Sequence, residues 1–299
     1  MLLLSFLPLV AGLSLVEAEL PQPNTSQNTE PVVGLLVMAH GGTPEWNRSV
    51  SEALAPLRAE MPTALALGMA DPVTMQAAMD SLMEQGVDRV AVVRVFMSGE
   101  SFRHQTEYLL GLREDPPAQP MLMHDAAHAD HGSSLLPLTH DAEVIMSGEG
   151  LMEAWPTPSI MADRAAALSR NPEGESVVLI AHGMGDERAN DRVLAEMGRT
   201  VAEIRARGFK SVAAFTLRED WEEARATAEL EIRTTVQDLR ARGDRVLALP
   251  FRLSGFGPYA EVLEGLEYEA GEGLLPHPLI TEWIRRSARE LLNQPVTAG

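Results

Sequence analysis

Two short apolar runs that each end in His-Gly constrain this chain more than any other feature. Residues 32–39 (VVGLLVMA) lead into His40-Gly41-Gly42, and residues 176–181 (SVVLIA) lead into His182-Gly183. An apolar run without polar alternation is the pattern of a strand buried on both faces. The elements beyond each exit come in the same order. After the first, the pattern predicts a helix over 47–61 stopped by Pro62, then a strand over 64–70. Asp71-Pro72 next opens a helix that closes at Gly86, and a strand over 89–97 leaves through Ser98-Gly99. Asp71 suits the cap because its carboxylate accepts from orphan N–H groups, and Pro72 suits the first turn. After the second exit come a helix over 189–207 closed by Gly208 and a strand over 211–217. Then come a helix over 219–242 closed by Gly243 and a strand over 245–253 that leaves through Ser254-Gly255. The His-Gly pairs lie 142 residues apart and the Ser-Gly pairs 156, so the second half carries an insertion. A repeat of that size is a duplicated domain, not a solenoid.

Alternating strand and helix implies parallel sheets with right-handed crossovers, an α/β fold of two related halves. Ligands of such sheets bind outside the carboxyl ends of the strands, which is where His40, His182, Ser98 and Ser254 fall. The halves are read as residues 32–114 and 151–299. Residues 115–150 form a crossover and hinge holding Pro116-Pro117, Pro120 and four histidines, His124, His128, His131 and His140. On a helix, His124, His128 and His131 would share one face and suit an accessory metal-loading site. With Gly132 beside them, they equally suit a polar, flexible hinge. A helix over 158–169 leads into the second half, and His277 between two prolines marks a rigid turn before the last helix.

Composition removes several classes of function. The net charge is −19, and Lys210 is the only lysine, so the clustered cations that phosphate contacts need are missing and no nucleic-acid partner is expected. There is no cysteine, which excludes disulfides, thiolate ligands and a thiol nucleophile. Residues 1–16 are uncharged and apolar apart from two serines, and Val16-Glu17-Ala18 places small residues at signal-peptidase spacing. Residues 1–18 are therefore expected to be a signal peptide and 19–31 a polar leader. That implies a secreted or periplasmic protein with no stable membrane span after cleavage, or a cytoplasmic one if the true start lies elsewhere.

The quoted segments together resemble the class II chelatases, the sirohydrochlorin cobaltochelatase family in its long two-half form. The similarity lies in residues 37–42 and 180–183, in Gly68-Met69-Ala70-Asp71-Pro72 with its helix, in residues 89–98, and in residues 250–257. It covers about residues 32–112 and 176–292. The resemblance implies two flavodoxin-like halves facing each other across a metal and tetrapyrrole cleft. It implies a lyase that inserts cobalt, nickel or iron into a sirohydrochlorin-type tetrapyrrole, with no organic cofactor. Chelatases of this type place a second histidine just after the third strand. Here that loop reads Gly99-Glu100-Ser101-Phe102-Arg103-His104, so Glu100 replaces the histidine or His104 supplies it one turn later. The matching loop of the second half has none.

Metal insertion into a tetrapyrrole removes two pyrrole protons and needs ligands that let the metal go. Histidine serves both ends, with an ordinary pKa of about 6.5, and a carboxylate can relay a proton. His40 and His182 lead as metal ligand or base, followed by Glu100 and His104. Nitrogen and oxygen donors suit cobalt, nickel, iron or zinc alike. The plainer roles are a strand-exit histidine bonded to a backbone carbonyl and solvated loop residues at Glu100 and His104. Arg94, Arg103, Arg218 and Arg252 stand near strand ends, where they fork onto substrate carboxylates or pair with local acids such as Glu219 and Asp220. Ser98 and Ser254 complete the substrate-binding set. A non-catalytic metal-binding protein of the cell envelope on the same fold is the alternative; the charge of −19 and the export signal favour it. Intact-mass analysis of the envelope fraction tests the processing: the expected species lacks residues 1 to about 18, and retention of Met1 refutes it.

Overall fold

A computed structural model of the chain describes residues 30–120 and 135–295. The expected signal peptide, the leader up to residue 29, and the His124, His128 and His131 cluster lie outside the described residues. The first sheet holds β1 (Val33–Ala39), β2 (Thr63–Leu67), β3 (Arg89–Val95) and β4 (Glu143–Met146) in the order β2-β1-β3-β4. The second holds β5 (Glu175–Ala181), β6 (Ser211–Thr216), β7 (Arg245–Pro250) and β8 (Glu269–Ala270) in the order β6-β5-β7-β8. All pairings are parallel, as the alternating strands and helices require. The helices are α1 (Pro44–Ala53), α2 (Ala55–Arg58), α3 (Pro72–Met83), α4 (Arg103–Leu109), α5 (Thr157–Leu168), α6 (Glu187–Ala206), α7 (Glu222–Ala241), α8 (Tyr259–Val262) and α9 (Pro278–Leu292). Among the described residues, none is long and apolar enough to cross a membrane.

Local chemistry explains the boundaries. The helix expected over 47–61 starts earlier because Thr43 caps it, accepting from the Trp46 amide at 3.3 Å, with Pro44 in the first turn. It breaks at Leu54, and Pro56, which has no N–H to donate, sits in the short α2 beyond the break. Asp71 caps α3 as the sequence implies, accepting from the amides of Val73 and Thr74 at 2.9 and 3.0 Å. β4 lies inside the segment read as crossover and pairs with β3, Arg89 opposite Glu143.

Strand alternation divides the core. Leu36, Met38, Val90 and Val92 point to the outer face of the first sheet and pack on Met75 and Met79 of α3 and Leu109 of α4. Val178, Ile180 and Val246 do the same in the second sheet against Ile232 and Val236 of α7. The opposite faces, Leu35, Val37, Val93 and Val177, Leu179, Leu247, join one continuous cluster with α1, α2, α5, α6 and α9. Full burial of each such side chain contributes roughly 1.5–3 kcal/mol.

One helix crosses between the halves. α9, last in sequence, is tied to the first half. Thr281 donates to the Ala53 carbonyl at 2.9 Å, Trp283 Nε1 donates to Glu149 at 2.9 Å, and Arg285 and Arg289 both pair with Glu60. Arg89, at the foot of β3, donates to the Leu292 and Gln294 carbonyls that end α9, at 2.8 and 2.6 Å, and pairs with Glu143 at 3.2 Å. α5, which opens the second half, is tied within it: Arg164 donates to the Gly273 carbonyl and pairs with Glu272, and Arg245 donates to the Leu168 carbonyl at its end. Arg89 and Arg245 hold equivalent positions, opposite Val33 and Glu175. The duplication thus repeats even the arginine that clamps the end of a covering helix.

Two measurements test these contacts. Arg89→Ala orphans the end of α9 and Glu143, and should lower unfolding stability by on the order of 2–4 kcal/mol, read from the urea midpoint; Arg89→Lys should recover only part of it. Asp244, almost fully buried, is held below the ordinary carboxylate range by a hydrogen bond from Lys210, against the cost of burial, with help from the Ser176 hydroxyl. A depressed folded-state value contributes stability that is present above the unfolded value of about 4 and is lost as pH falls through the folded one. Lys210→Met should remove part of this acid-side slope, measured as unfolding free energy between about pH 6 and pH 2.

Candidate functional site

Parallel pairing puts the two histidines at the same place in each half. Ala39 lies opposite Val95 and Leu67, and Ala181 opposite Thr216, so His40 and His182 are the first residues beyond the carboxyl edge of the central strand. The match extends to atoms. His40 Nδ1 lies 2.7 Å from the Gly41 carbonyl and His182 Nδ1 lies 2.9 Å from the Gly183 carbonyl. Two residues on, the Gly42 amide donates to Asn47 Oδ1 at 2.9 Å and the Met184 amide to Asn190 Oδ1 at 3.1 Å. Asn47 and Asn190 therefore pin both loops, an element that sequence reasoning missed; the recurrence of Asn seven or eight residues after each His-Gly histidine was its signal. Gly183 is obligatory, with φ +84° and a Cβ that would lie 2.7 Å from Thr216 Cβ. A carbonyl only accepts, so Nδ1 carries a proton in each ring, and in the neutral form Nε2 keeps its lone pair, the tautomer that binds metal or takes up a proton.

The halves then diverge. Among the described residues no partner faces His40 Nε2, and the ring is exposed. His182 Nε2 meets Asp220 Oδ2 at 3.2 Å, and the Trp221 indole stands edge-on to its ring, 88° between planes and 6.1 Å between centroids. Arg218 locks the post-β6 loop onto the post-β5 loop. Its guanidinium takes Glu187 at 3.0 and 3.2 Å and the Gly185 carbonyl at 2.6 Å, and its φ of +59° is the left-handed conformation that non-glycine residues rarely adopt.

The loop after β3 is built around Arg94. This side chain is 1% exposed, and its guanidinium donates to the carbonyls of Gly99, Ser101 and Ser147, leaving no free fork for a substrate carboxylate. Burial lowers its pKa, with the nearby Arg103 charge acting in the same direction. Ser98 Oγ accepts from the Glu100 amide at 3.2 Å, and Glu100 projects into solvent, paired with Arg103 at 3.2 Å. Arg103 also bonds Glu107 at 2.8 Å, which raises the pKa of the one and lowers that of the other. His104, on α4, turns to Asp115, with Nε2 3.0 Å from its carbonyl and 3.3 Å from its carboxylate, and Arg113 3.4 Å away. His40, Glu100 and His104 make no contact with one another, and among the described residues no three acids or histidines are grouped to hold a metal.

In the second half, Arg252 lies over the Tyr259 ring at 5.8 Å, with Glu219 at 4.0 Å, and its buried Nη1 has no hydrogen-bond partner. The Tyr259 hydroxyl donates to Glu219 at 3.1 Å; burial, reinforced by that carboxylate, pushes its pKa far up. Ser254 is half-buried at the strand exit. A cleft of about 660 Å³ lies elsewhere, between α4 and the free edge of β4, lined by Arg103, Glu107, Arg113 and Asp115. Neither strand-exit histidine lines it, so it does not share their chemistry.

No family model matches the chain, and no curated protein matches it. Solved structures do. The structure of SirB from Bacillus subtilis with Fe3+ superposes with a TM-score of 0.60 at 12% identity, over 87% of this chain and 96% of that one. The sirohydrochlorin chelatase SirB from Bacillus subtilis subspecies spizizenii in complex with cobalt gives 0.56 at 10% identity, over 88% and 97%. At such identities the likeness speaks for the fold alone: two four-stranded parallel sheets, in the arrangement of the sirohydrochlorin chelatases, make this a chelatase-like α/β protein.

Proposed function

We propose that this protein inserts a divalent metal, cobalt before nickel or iron, into a sirohydrochlorin-type tetrapyrrole. The observation that carries the reading is His40: a strand-exit imidazole at the carboxyl edge, fixed through Nδ1, with Nε2 open to solvent. The fold supports it, since the likeness spans nearly the whole length of a sirohydrochlorin chelatase holding cobalt.

In this reading the metal is a substrate. His40 Nε2 presents it or takes a pyrrole proton, and Glu100, the exposed carboxylate on the loop leaving the neighbouring strand β3, relays the second proton to water. β1 and β3 are directly paired, so both loops leave the same side of one sheet. His104 would join only by giving up Asp115. Arg252, partly exposed, is the arginine left to meet a substrate carboxylate, and Ser98 and Ser254 stand at the strand exits; Arg103 would join only by giving up Glu100 and Glu107, and Arg94 supports the loop instead. His182 belongs to the same set from the second half. An extracytoplasmic site of action is part of the proposal and rests on the apolar first residues.

The test is spectroscopic. Purified protein with Co2+ and sirohydrochlorin should give the metallated absorption spectrum faster than the metal salt alone. His40→Ala should lower kcat/KM by about 100-fold or more. Cobalt bound with ordinary affinity but no acceleration would leave a metal-binding envelope protein on the chelatase fold.

A further inference from the structure

We propose that His277 is a proton-operated clasp at the joint between the two halves: the neutral imidazole holds the first turn of α9, and protonation releases it. The inference concerns the response of the fold to pH and does not depend on turnover. The joint is short. Leu274 and Leu275 donate their amides to the Arg252 and Leu253 carbonyls beyond β7, at 3.0 and 2.7 Å, and Thr281 already donates to the Ala53 carbonyl of the first half. His277 lies between these anchors and is the cap residue of α9. Pro278 has no N–H, so Leu279 carries the first free amide of the helix, and it donates to His277 Nδ1 at 3.2 Å. A ring nitrogen that accepts carries a lone pair, so the neutral ring keeps its proton on Nε2, the reverse of His40 and His182. Protonation puts a hydrogen on Nδ1 and sets donor against donor. The cap is lost and the Leu279 amide is left without its partner.

The surroundings set the direction of the response. The His277 side chain is only 14% exposed. Arg164 of α5 stands beside it, held in place by the Gly273 and Pro276 carbonyls and by Glu272. Asp163 Oδ2 lies 3.7 Å from Nε2, and the same carboxylate pairs with Arg207, just beyond α6, at 3.3 Å. The acids that meet α9 from the first half, Glu60 and Glu149, are bonded to Arg285, Arg289 and Trp283 further along the helix. Burial, reinforced by the Arg164 charge and opposed by Asp163, holds the ring below the ordinary histidine pKa. With a depressed folded-state value, the contribution of the clasp is complete above the unfolded value of about 6.5 and is lost as pH falls through the folded one. α5, the covering helix of the second half, starts without a side-chain cap, so the duplication does not repeat the device.

The experiment compares the full chain with His277→Asn, because asparagine caps a helix as well but does not titrate. Urea unfolding and backbone amide exchange are each measured from about pH 7.5 to pH 5, a window that spans the ordinary histidine value. Titrating groups common to both proteins cancel in the comparison. The wild-type unfolding constant should rise roughly fivefold more than that of the variant over this range. The Leu279 amide should lose protection in the wild type alone. Parallel pH curves for the two proteins overturn the clasp. If the variant does not fold, the wild type decides by itself through nuclear magnetic resonance. The His277 ring should titrate below about 6.5, and the Leu279 protection factor should fall along the same curve. A ring that titrates at or above that value, or a Leu279 amide equally protected at both ends of the range, overturns the proposal.

Discussion

The site depends on the parallel backbone ladder at the centre of each sheet. β1 and β5 are each flanked on both sides by parallel neighbours, which fixes where the strand ends and which way the next residue leaves. The strands are buried across almost their whole length, so a one-residue slip would exchange the inner and outer cores. That penalty holds His40 and His182 at the carboxyl edge. The Nδ1 contacts and the Asn47 and Asn190 anchors only refine an orientation the ladder has already set.

On this common frame the two halves keep the backbone devices and diverge in the carboxylates. Both keep the histidine tautomer, the asparagine anchor and the arginine at the foot of the third strand. In the first half, the acid after the second strand caps a helix and the histidine is left open. In the second, the acid turns to the histidine and the helix start goes without a side-chain cap. A capping carboxylate contributes about 1 kcal/mol, little enough to be exchanged for a different local chemistry. The long α7, closed onto the sheet by Ile232, Val236 and Leu239, does not need it.

Much of this was legible in the sequence, because buried strands, capping Asp-Pro and strand-exit His-Gly leave local marks. The succession of strands and helices along the chain and both histidine positions belong to that class. Three things left no such mark. β4 is only four residues long and comes after a proline-rich stretch, so its pairing with β3 had no periodic signal. Arg94 reads as a strand-end arginine suited to a ligand, but its partners are three backbone carbonyls, which have no sequence signature. The exchange that sends α9 back to the first half was invisible for a deeper reason: the apolar face of α9, with Ile280, Trp283, Ile284 and Leu291, shows that the helix is buried but not against which sheet.

That exchange bears on how the chain comes to be folded at all. A ribosome releases sequence in order, and domains usually close as they emerge. Here the first sheet is synthesised early, but the helix that covers part of its inner face and receives the Arg89 clamp follows the whole second sheet in sequence. Until α9 emerges, part of the apolar surface of the nascent first half stays uncovered. The first half therefore completes its core only once α9 is available to it.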